Sequence, residues 1–322
     1  VRAVGTQLNE RALRGGNWTL TVASELAILE KIQQVGAPLS EYVDDKIFRG
    51  VVTGYNEAFV INRATRDRLI AEDARSVELI KPFVVGDDVR KYRINFQDSY
   101  LIFTRRGVNI KEYRAIERYL RRFEERLMPK PEDWSGGEWK GRKSGPYQWY
   151  EIQDTTDYYA EFEKPKIVYP DIAKESRFAF DDEKYYPSAT NFIIPKADYY
   201  LLGVLNSQLV FFALKALCPV LGDPQRGGRL RLKTVYIQHL PIRRINFDDP
   251  ADRRRHDAIV ALVTEMLQLQ KDYAQAEREK EDRRHALKRR IGEVDAAIDR
   301  LVYELYGLTE EEIKLVEQGT RS

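Results

Sequence analysis

The chain has 322 residues, enough for one large domain or two ordinary ones, and its 43% hydrophobic content supplies a sizeable core. No apolar run reaches the roughly 18 residues a membrane helix needs, so no membrane partner is expected. The single cysteine, Cys218, excludes an internal disulfide and a cysteine zinc site. It reads as a small buried thiol, with the cytoplasm as the expected compartment.

In chain order, the start Val1-Arg2-Ala3-Val4 is neither a signal peptide nor an initiator Met and reads as a piece of a longer protein. Residues 17–35, with Leu26, Ile28, Leu29 and Ile32, predict an amphipathic helix stopped by Gly36-Ala37-Pro38. Phe48 to Ile61 reads as two strands around the turn-forming Thr53-Gly54-Tyr55-Asn56. Arg66 to Ile80 reads as a weak helix, Tyr100 to Thr104 as a buried strand, and Tyr113 to Leu127 as a helix with arginines opposite its apolar face. Residues 129–150 are a Gly- and Pro-rich loop holding Trp134, Trp139 and Trp149. Lys166–Tyr169, Asn191–Ile194 and Leu230–Pro241 read as strands, and Tyr199–Leu217 as one apolar helix. From residue 252 onward Ile259, Leu262, Met266, Leu269 and Tyr273 recur at heptad spacing, and the stripe resumes from Leu287 to Leu305 beyond a charged stretch. One long helix or a helical hairpin fits, and Gly307 ends it.

The fold expected is therefore α+β, a mixed α/β domain followed by a helical, coiled-coil-like tail. Its divisions are a linker and helix over 1–45, a recognition domain over 46–250 and a helical spacer over 251–322.

Net charge is only +2, but the charge is uneven: Arg226 to Arg244 holds six basic residues and no acidic one. Such a run is compatible with nucleic acid whatever the total. No Walker A sequence and no Gly-x-Gly occurs, nor any Asn/Asp-Pro-Pro-Tyr/Phe tetrapeptide of the kind that grips a flipped amino base. His239, His256 and His285 are scattered without metal-ligand spacing, the last two in charged helix where solvation is expected. Pro170-Asp171 followed by Asp182-Glu183-Lys184 formally matches a loose nuclease signature. In it Asp171 and Asp182 would hold magnesium and Lys184 would activate water.

Several blocks occur in an order that resembles one family. They are Ile47 to Ile61, Leu79 to Phe83 with Gly86 to Tyr92, Tyr100 to Thr104, Phe162 to Asp171, Tyr200 to Ser207, and Gly228 to Pro241. Together they are similar to the TaqI-like C-terminal specificity domain of type IIG restriction-modification enzymes and of BREX-type adenine-specific DNA methyltransferases. The resemblance implies binding of double-stranded DNA beside a methyltransferase domain of the same parent protein. It implies S-adenosylmethionine as that parent's cofactor, with none in this chain, and no catalytic residue here. Loop 129–150 matches no block of the family and is where sequence choice is expected.

The residues expected at DNA follow from side-chain chemistry. Arg49, Thr53, Tyr55 and Asn56 form a polar turn, and Asn pairs with adenine and Arg with guanine in the major groove. Lys81 and Lys91, beside Arg90 and Tyr92, suit phosphates. Arg105 and Arg106 follow a buried strand. Arg142, Lys143 and Tyr147 belong to the aromatic-basic loop. Arg226, Arg229, Arg231 and Lys233 form the cleanest basic run, the last three alternating along one strand face. Two other functions compete: a protein-interaction or dimerisation module using the C-terminal helices, and the magnesium-dependent nuclease.

Overall fold

The computed structural model describes residues 18–196, 198–222 and 228–321, and these group into two units. One unit is Lys46–Ile172 with Arg177–Ala197; the other gathers the N-terminal segment, Ala173–Ser176 and everything from Asp198 onward. The fold is α+β with a helical C-terminal region, and no single described helix is long and apolar enough to cross a membrane. Residues 198–250, assigned to the recognition domain on sequence, group with the N-terminal helix and the tail instead.

The first unit is built on two four-stranded sheets. One runs in the order Ala179–Asp181, Lys166–Pro170, Asn191–Ile194, Phe48–Arg49, all antiparallel. The other runs Tyr186–Pro187, Ile80–Val84, Ser99–Ile102, Val60–Asn62, with the first pair parallel. Phe48–Arg49 and Val60–Asn62 thus belong to different sheets, which corrects the expected pair of strands flanking a turn. Between them lies a short helix, Asn56–Phe59. Gly50 makes this possible: a Cβ there would sit 2.1 Å from Ser188 O and 2.4 Å from Pro187 O, so only glycine lets the chain cross that segment. The expected Arg66–Ile80 helix is a helix over Arg63–Glu72, a single tight turn and then a strand. Asn62 caps the helix by accepting from Thr65 N. Phe59, Phe83, Leu101, Ile116, Leu120, Phe162 and Ile193 fill the core.

Inside this core lies an ion pair that the sequence reading passed over. Lys166 and Asp181 are fully buried at 2.5 Å. Lys166 Nζ also donates to Phe162 O, and Asp181 accepts from the backbone N–H of Glu183 and of Tyr185. Burial pulls the ammonium down and pushes the carboxyl up, and their mutual attraction opposes both shifts.

In the second unit the helix Trp18–Val35 leads into a strand, Gly36–Pro38, that pairs antiparallel with Pro241–Arg243. The expected apolar helix over 199–217 is two helices, Tyr199–Asn206 and Gln208–Leu217, bent by 64°. Ser207 causes the break: its backbone is extended, its Oγ accepts from Val210 N, and Asp299 accepts from Gln208 N. Gly203 lets the first of these helices approach closely, since a Cβ would stand 2.9 Å from methyls of both Ile259 and Val263. The heptad stripe resolves into a hairpin of Pro250–Arg278 and Arg283–Leu305, reversed around Lys280 with its φ of 58°. His256, expected in solvent, is half-buried between the rings of Tyr200 and Phe247. Cys218 is buried, and burial pushes its thiol up to about 12. Leu230–Pro241 is not one strand: Arg229–Arg231 is extended, Thr234–Ile237 is a helical turn, and Pro241–Arg243 is the next strand.

Candidate nucleic-acid interface

Loop 129–150 is organised by a side chain expected to face outward. Arg142 is 3% exposed. Its Nε donates to Leu127 O at 2.8 Å, Nη1 to Thr53 O at 2.9 Å and Glu151 O at 2.7 Å, and Nη2 to Trp149 O at 2.9 Å and Gln148 O at 3.4 Å. All five guanidinium N–H groups are engaged. Burial lowers its pKa to about 10, which leaves it cationic at neutral pH. The expectation that Arg142 contacts DNA is therefore corrected: the cation is spent on carbonyls that a buried loop base must satisfy. The same holds for two neighbours. Tyr147 is 5% exposed and donates to Lys143 O, and Thr53 is 2% exposed and donates to Asn56 Oδ1 at 2.6 Å. Gly54, at φ 81°, packs where a Cβ would meet Arg142 Cδ at 2.7 Å, so turn and loop are one structure.

Farther out, Trp134 and Trp139 pack edge to face, and their indole N–H groups donate to Gly137 O and Met128 O. Trp149 lies against the core under the Arg121 guanidinium. Lys143 is exposed and pairs loosely with Asp154 at 3.3 Å. Tyr55 is half-buried, edge-on to Phe123. Arg49 is exposed, its Nε on Ala189 O.

The Arg105–Arg106 pair splits. Arg106 turns inward, donating to Ile152 O and to Gln153 O, with Glu151 at 3.8 Å. Arg105 stays exposed and lies over the Tyr159 ring at 4.8 Å. It lines a cleft of about 440 Å³ with Lys81, Phe103, Tyr159, Glu163 and Tyr186. Lys81 is not a free cation there: it donates to Glu163 Oε1 at 3.1 Å, and Tyr186 Oη donates to the same oxygen at 2.6 Å. Burial works to raise the Glu163 carboxyl, but the Tyr186 and Lys81 bonds more than offset it, so its pKa lies below the usual value. Tyr159, Glu163 and Tyr186 are not singled out by any motif; a mixed aromatic and acidic cluster, Tyr158-Tyr159-Ala160-Glu161-Phe162-Glu163, is the local signal for the first two. Lys91 is half-buried with its Nζ over the Tyr92 ring at 5.7 Å.

In the other unit, Arg229–Arg231 has Leu230 buried and both arginines on the opposite face, Arg229 exposed and Arg231 half-buried. Lys233 lies past the strand, at the start of the Thr234–Ile237 turn, but its backbone is extended and Leu232 is buried, so the alternation continues to it. Arg226 lies outside the described residues.

The nuclease constellation does not assemble. Ala179 pairs with Val168 and Asp181 with Lys166, so in this antiparallel register Asp182 falls beyond one end of the hairpin and Asp171 beyond the other. Strand rise puts them about 20 Å apart, whereas carboxylates sharing magnesium each sit about 2.1 Å from it. Among the described residues no group of three His, Cys, Asp or Glu could hold a metal.

One unit is α+β with a buried loop anchor and exposed arginines, and the other carries a helical hairpin. Residues 81–242 match the TaqI-like C-terminal specificity domain, and the chain belongs to that family. Over 92% of its length it is 26% identical to the type II methyltransferase M.PaeR7I of Pseudomonas aeruginosa, of which the match covers 44%. Over 97% it is 23% identical to the type II methyltransferase M.XhoI of Xanthomonas vasicola, covering 50% of that protein. The chain thus spans half or less of the length of these two relatives. In fold it is similar to MmeI, a type IIL restriction-modification enzyme solved in complex with DNA, with a TM-score of 0.54 and 15% identity. That match covers 86% of this chain and 36% of MmeI.

Proposed function

We propose that this chain reads the sequence of double-stranded DNA for a restriction-modification methyltransferase of the type IIG or BREX kind, acting on the adenine N6 in the cytoplasm. The observation that carries this reading is the specificity-domain match over 81–242, made by a chain whose similar relatives are type II methyltransferases. Neither Gly-x-Gly nor an Asn/Asp-Pro-Pro-Tyr/Phe tetrapeptide occurs in the sequence, so these residues do not fit S-adenosylmethionine. Donor and catalysis would belong to the methyltransferase domain of the parent protein.

Two surfaces would meet the duplex. In the first unit Arg49, Asn56, Lys91, Arg105 and Lys143 remain accessible after the inward-turned side chains are set aside. In the second, Arg229, Arg231 and Lys233 present one basic edge. Phosphate contacts would set register, and exposed Arg49, Asn56 and Arg105 have the donor geometry to read base edges.

The test is fluorescence anisotropy with a randomised duplex over a salt series. Changing Arg229, Arg231 and Lys233 to Ala should flatten the log–log salt slope by about 0.9 for each phosphate no longer neutralised, up to roughly 3. Duplex binding that is absent at low salt, with the chain folded, refutes the reading. A second role, helix-mediated self- or subunit association, is favoured by half-exposed Leu269, Tyr273, Leu287 and Ile291 along the hairpin. A mass from light scattering that stays monomeric at high concentration and alongside the parent's partner subunits counts against it.

A further inference from the structure

The helix Arg114–Arg121 in the first unit sorts its residues by face. Ala115, Ile116 and Leu120 are buried, while Arg114, Arg118 and Arg121 stand exposed, and exposed Arg122 continues their row at the helix cap. At the helical repeat these four arginines fall within an arc of about 100°. Glu117 and Glu124 both go to Arg121, at 2.7 Å and 3.4 Å. The other three keep their charge. Arg114 has no hydrogen-bond or ion-pair partner among the described residues. Arg118 reaches Glu72 at 3.4 Å, a carboxylate that Arg68 already holds at 3.1 Å, so two cations meet one anion. Arg122 uses Nε on Tyr119 O and lies 4.1 Å over the Tyr119 ring, which leaves both terminal NH₂ groups without an acceptor among the described residues.

This row continues past the helix. Arg122 also lies 5.6 Å from the Phe123 ring, Phe123 meets Tyr55 edge-on at 6.4 Å, and Arg126 lies 5.7 Å over Tyr55. It thus reaches the turn that carries exposed Asn56. From Arg114 to Arg122 the helix rises about 12 Å, the axial length over which one strand of B-DNA carries about three or four phosphates. A protein partner would have to build acidic groups at that repeat, whereas a nucleic-acid strand has them by its covalent structure. We propose that the ridge of Arg114, Arg118 and Arg122 is a phosphate-binding surface for one strand of a DNA duplex. The inference rests on the DNA-reading function above and adds the surface that grips the backbone in the first unit. Arg118 exchanges a long, exposed bond to a shared carboxylate for a phosphate, which costs little.

The informative variant combines Arg114→Gln, Arg118→Gln and Arg122→Gln. Glutamine is a good helix former, and all three positions are exposed, so the fold and the melting temperature should hold. A second variant with lysine at the same three positions keeps the charge and loses only the guanidinium. Both are compared with the wild-type chain by anisotropy on a randomised duplex over a salt series, and the bound fraction of the duplex pool is sequenced.

The glutamine variant should lose about 0.9 of the log–log salt slope for each phosphate released, up to roughly 3. It should weaken all duplexes alike and leave any enriched motif unchanged, because phosphate contacts carry no sequence. The lysine variant should keep most of the slope. Slope loss together with a motif enriched by the wild type supports the ridge and the DNA-reading function. Slope loss when the wild type enriches no motif keeps the ridge and sinks the reading of sequence. An enriched motif with an unchanged slope in the glutamine variant overturns the ridge and leaves the reading of sequence standing. An RNA duplex that displaces the DNA duplex at lower concentration overturns the choice of partner. A folded wild-type chain that binds no duplex at any salt overturns both.

Discussion

Replacing Arg142 with Met separates an internal anchor from a DNA contact. Methionine keeps the length and apolar stem but removes five N–H donors. Thr53 O keeps Gln153 N, and Gln148 O keeps Glu151 N. Leu127 O, Glu151 O and Trp149 O lose the guanidinium donor. Each stranded acceptor costs about 1–3 kcal/mol, roughly 3–9 kcal/mol in all. Water entering the loop base, and release from burying a cation, offset part of that. The net loss should be about 3–5 kcal/mol, in the lower half of that range. For a unit of this size the melting temperature should fall by about 6–20 °C. Scanning fluorimetry of the variant beside salt-dependent anisotropy decides it. A variant that melts with the wild type yet loses duplex affinity would refute the anchor and restore Arg142 to the interface.

Three further outcomes follow from the same structure. Lys166→Met strands the Asp181 carboxylate and should cost about 3–5 kcal/mol in urea unfolding, while Lys166→Met with Asp181→Leu should recover most of it; equal losses would contradict a coupled pair. Gly203→Val forces its side chain against Ile259 and Val263 and should cost at least about 1–3 kcal/mol. Gly203→Ala should cost less, because the roughly 1 kcal/mol gain in helix propensity opposes the crowding, and a neutral valine would show that the crossing is loose. Glu163 has a folded pKa below its unfolded value, so its stabilising contribution is present above about 4.5 and is lost as pH falls through the folded pKa. Glu163→Gln should therefore flatten the acid limb of the stability profile below about 4.5, and an unchanged limb would refute the assignment.

Elements whose periodicity is local were legible in the sequence. Asn191–Ile194 and the heptad stripe needed only their own residues. The breaks were harder: from Tyr199 to Leu217 the apolar pattern is unbroken, and only Ser207, a good cap within an apolar run, marks the 64° bend. Phe48 to Ile61 misled because its two strands pair with partners distant in sequence, a fact that no local pattern holds. The site was misjudged where solvation is a long-range property. Arg142 and Arg106 look like any loop and strand-end arginines until the carbonyls of 148–153 close over them. Lys166 heads an apolar strand, and nothing nearby in sequence announces that Asp181 will meet it.

The neck of loop 129–150 has a consequence for how such a protein diversifies. Pro129 bridges Arg142, with Lys130 N on Arg142 O and Arg142 N on Met128 O. The segment between is a cassette clamped at its stem, so residues 131–140 can be exchanged in length and composition without unsettling the core beneath. Natural variation, or a library randomised there, would explore new surfaces on an unchanged chassis, provided that Arg142 and the two glycines it packs beside in space or sequence, Gly54 and Gly141, stay in place.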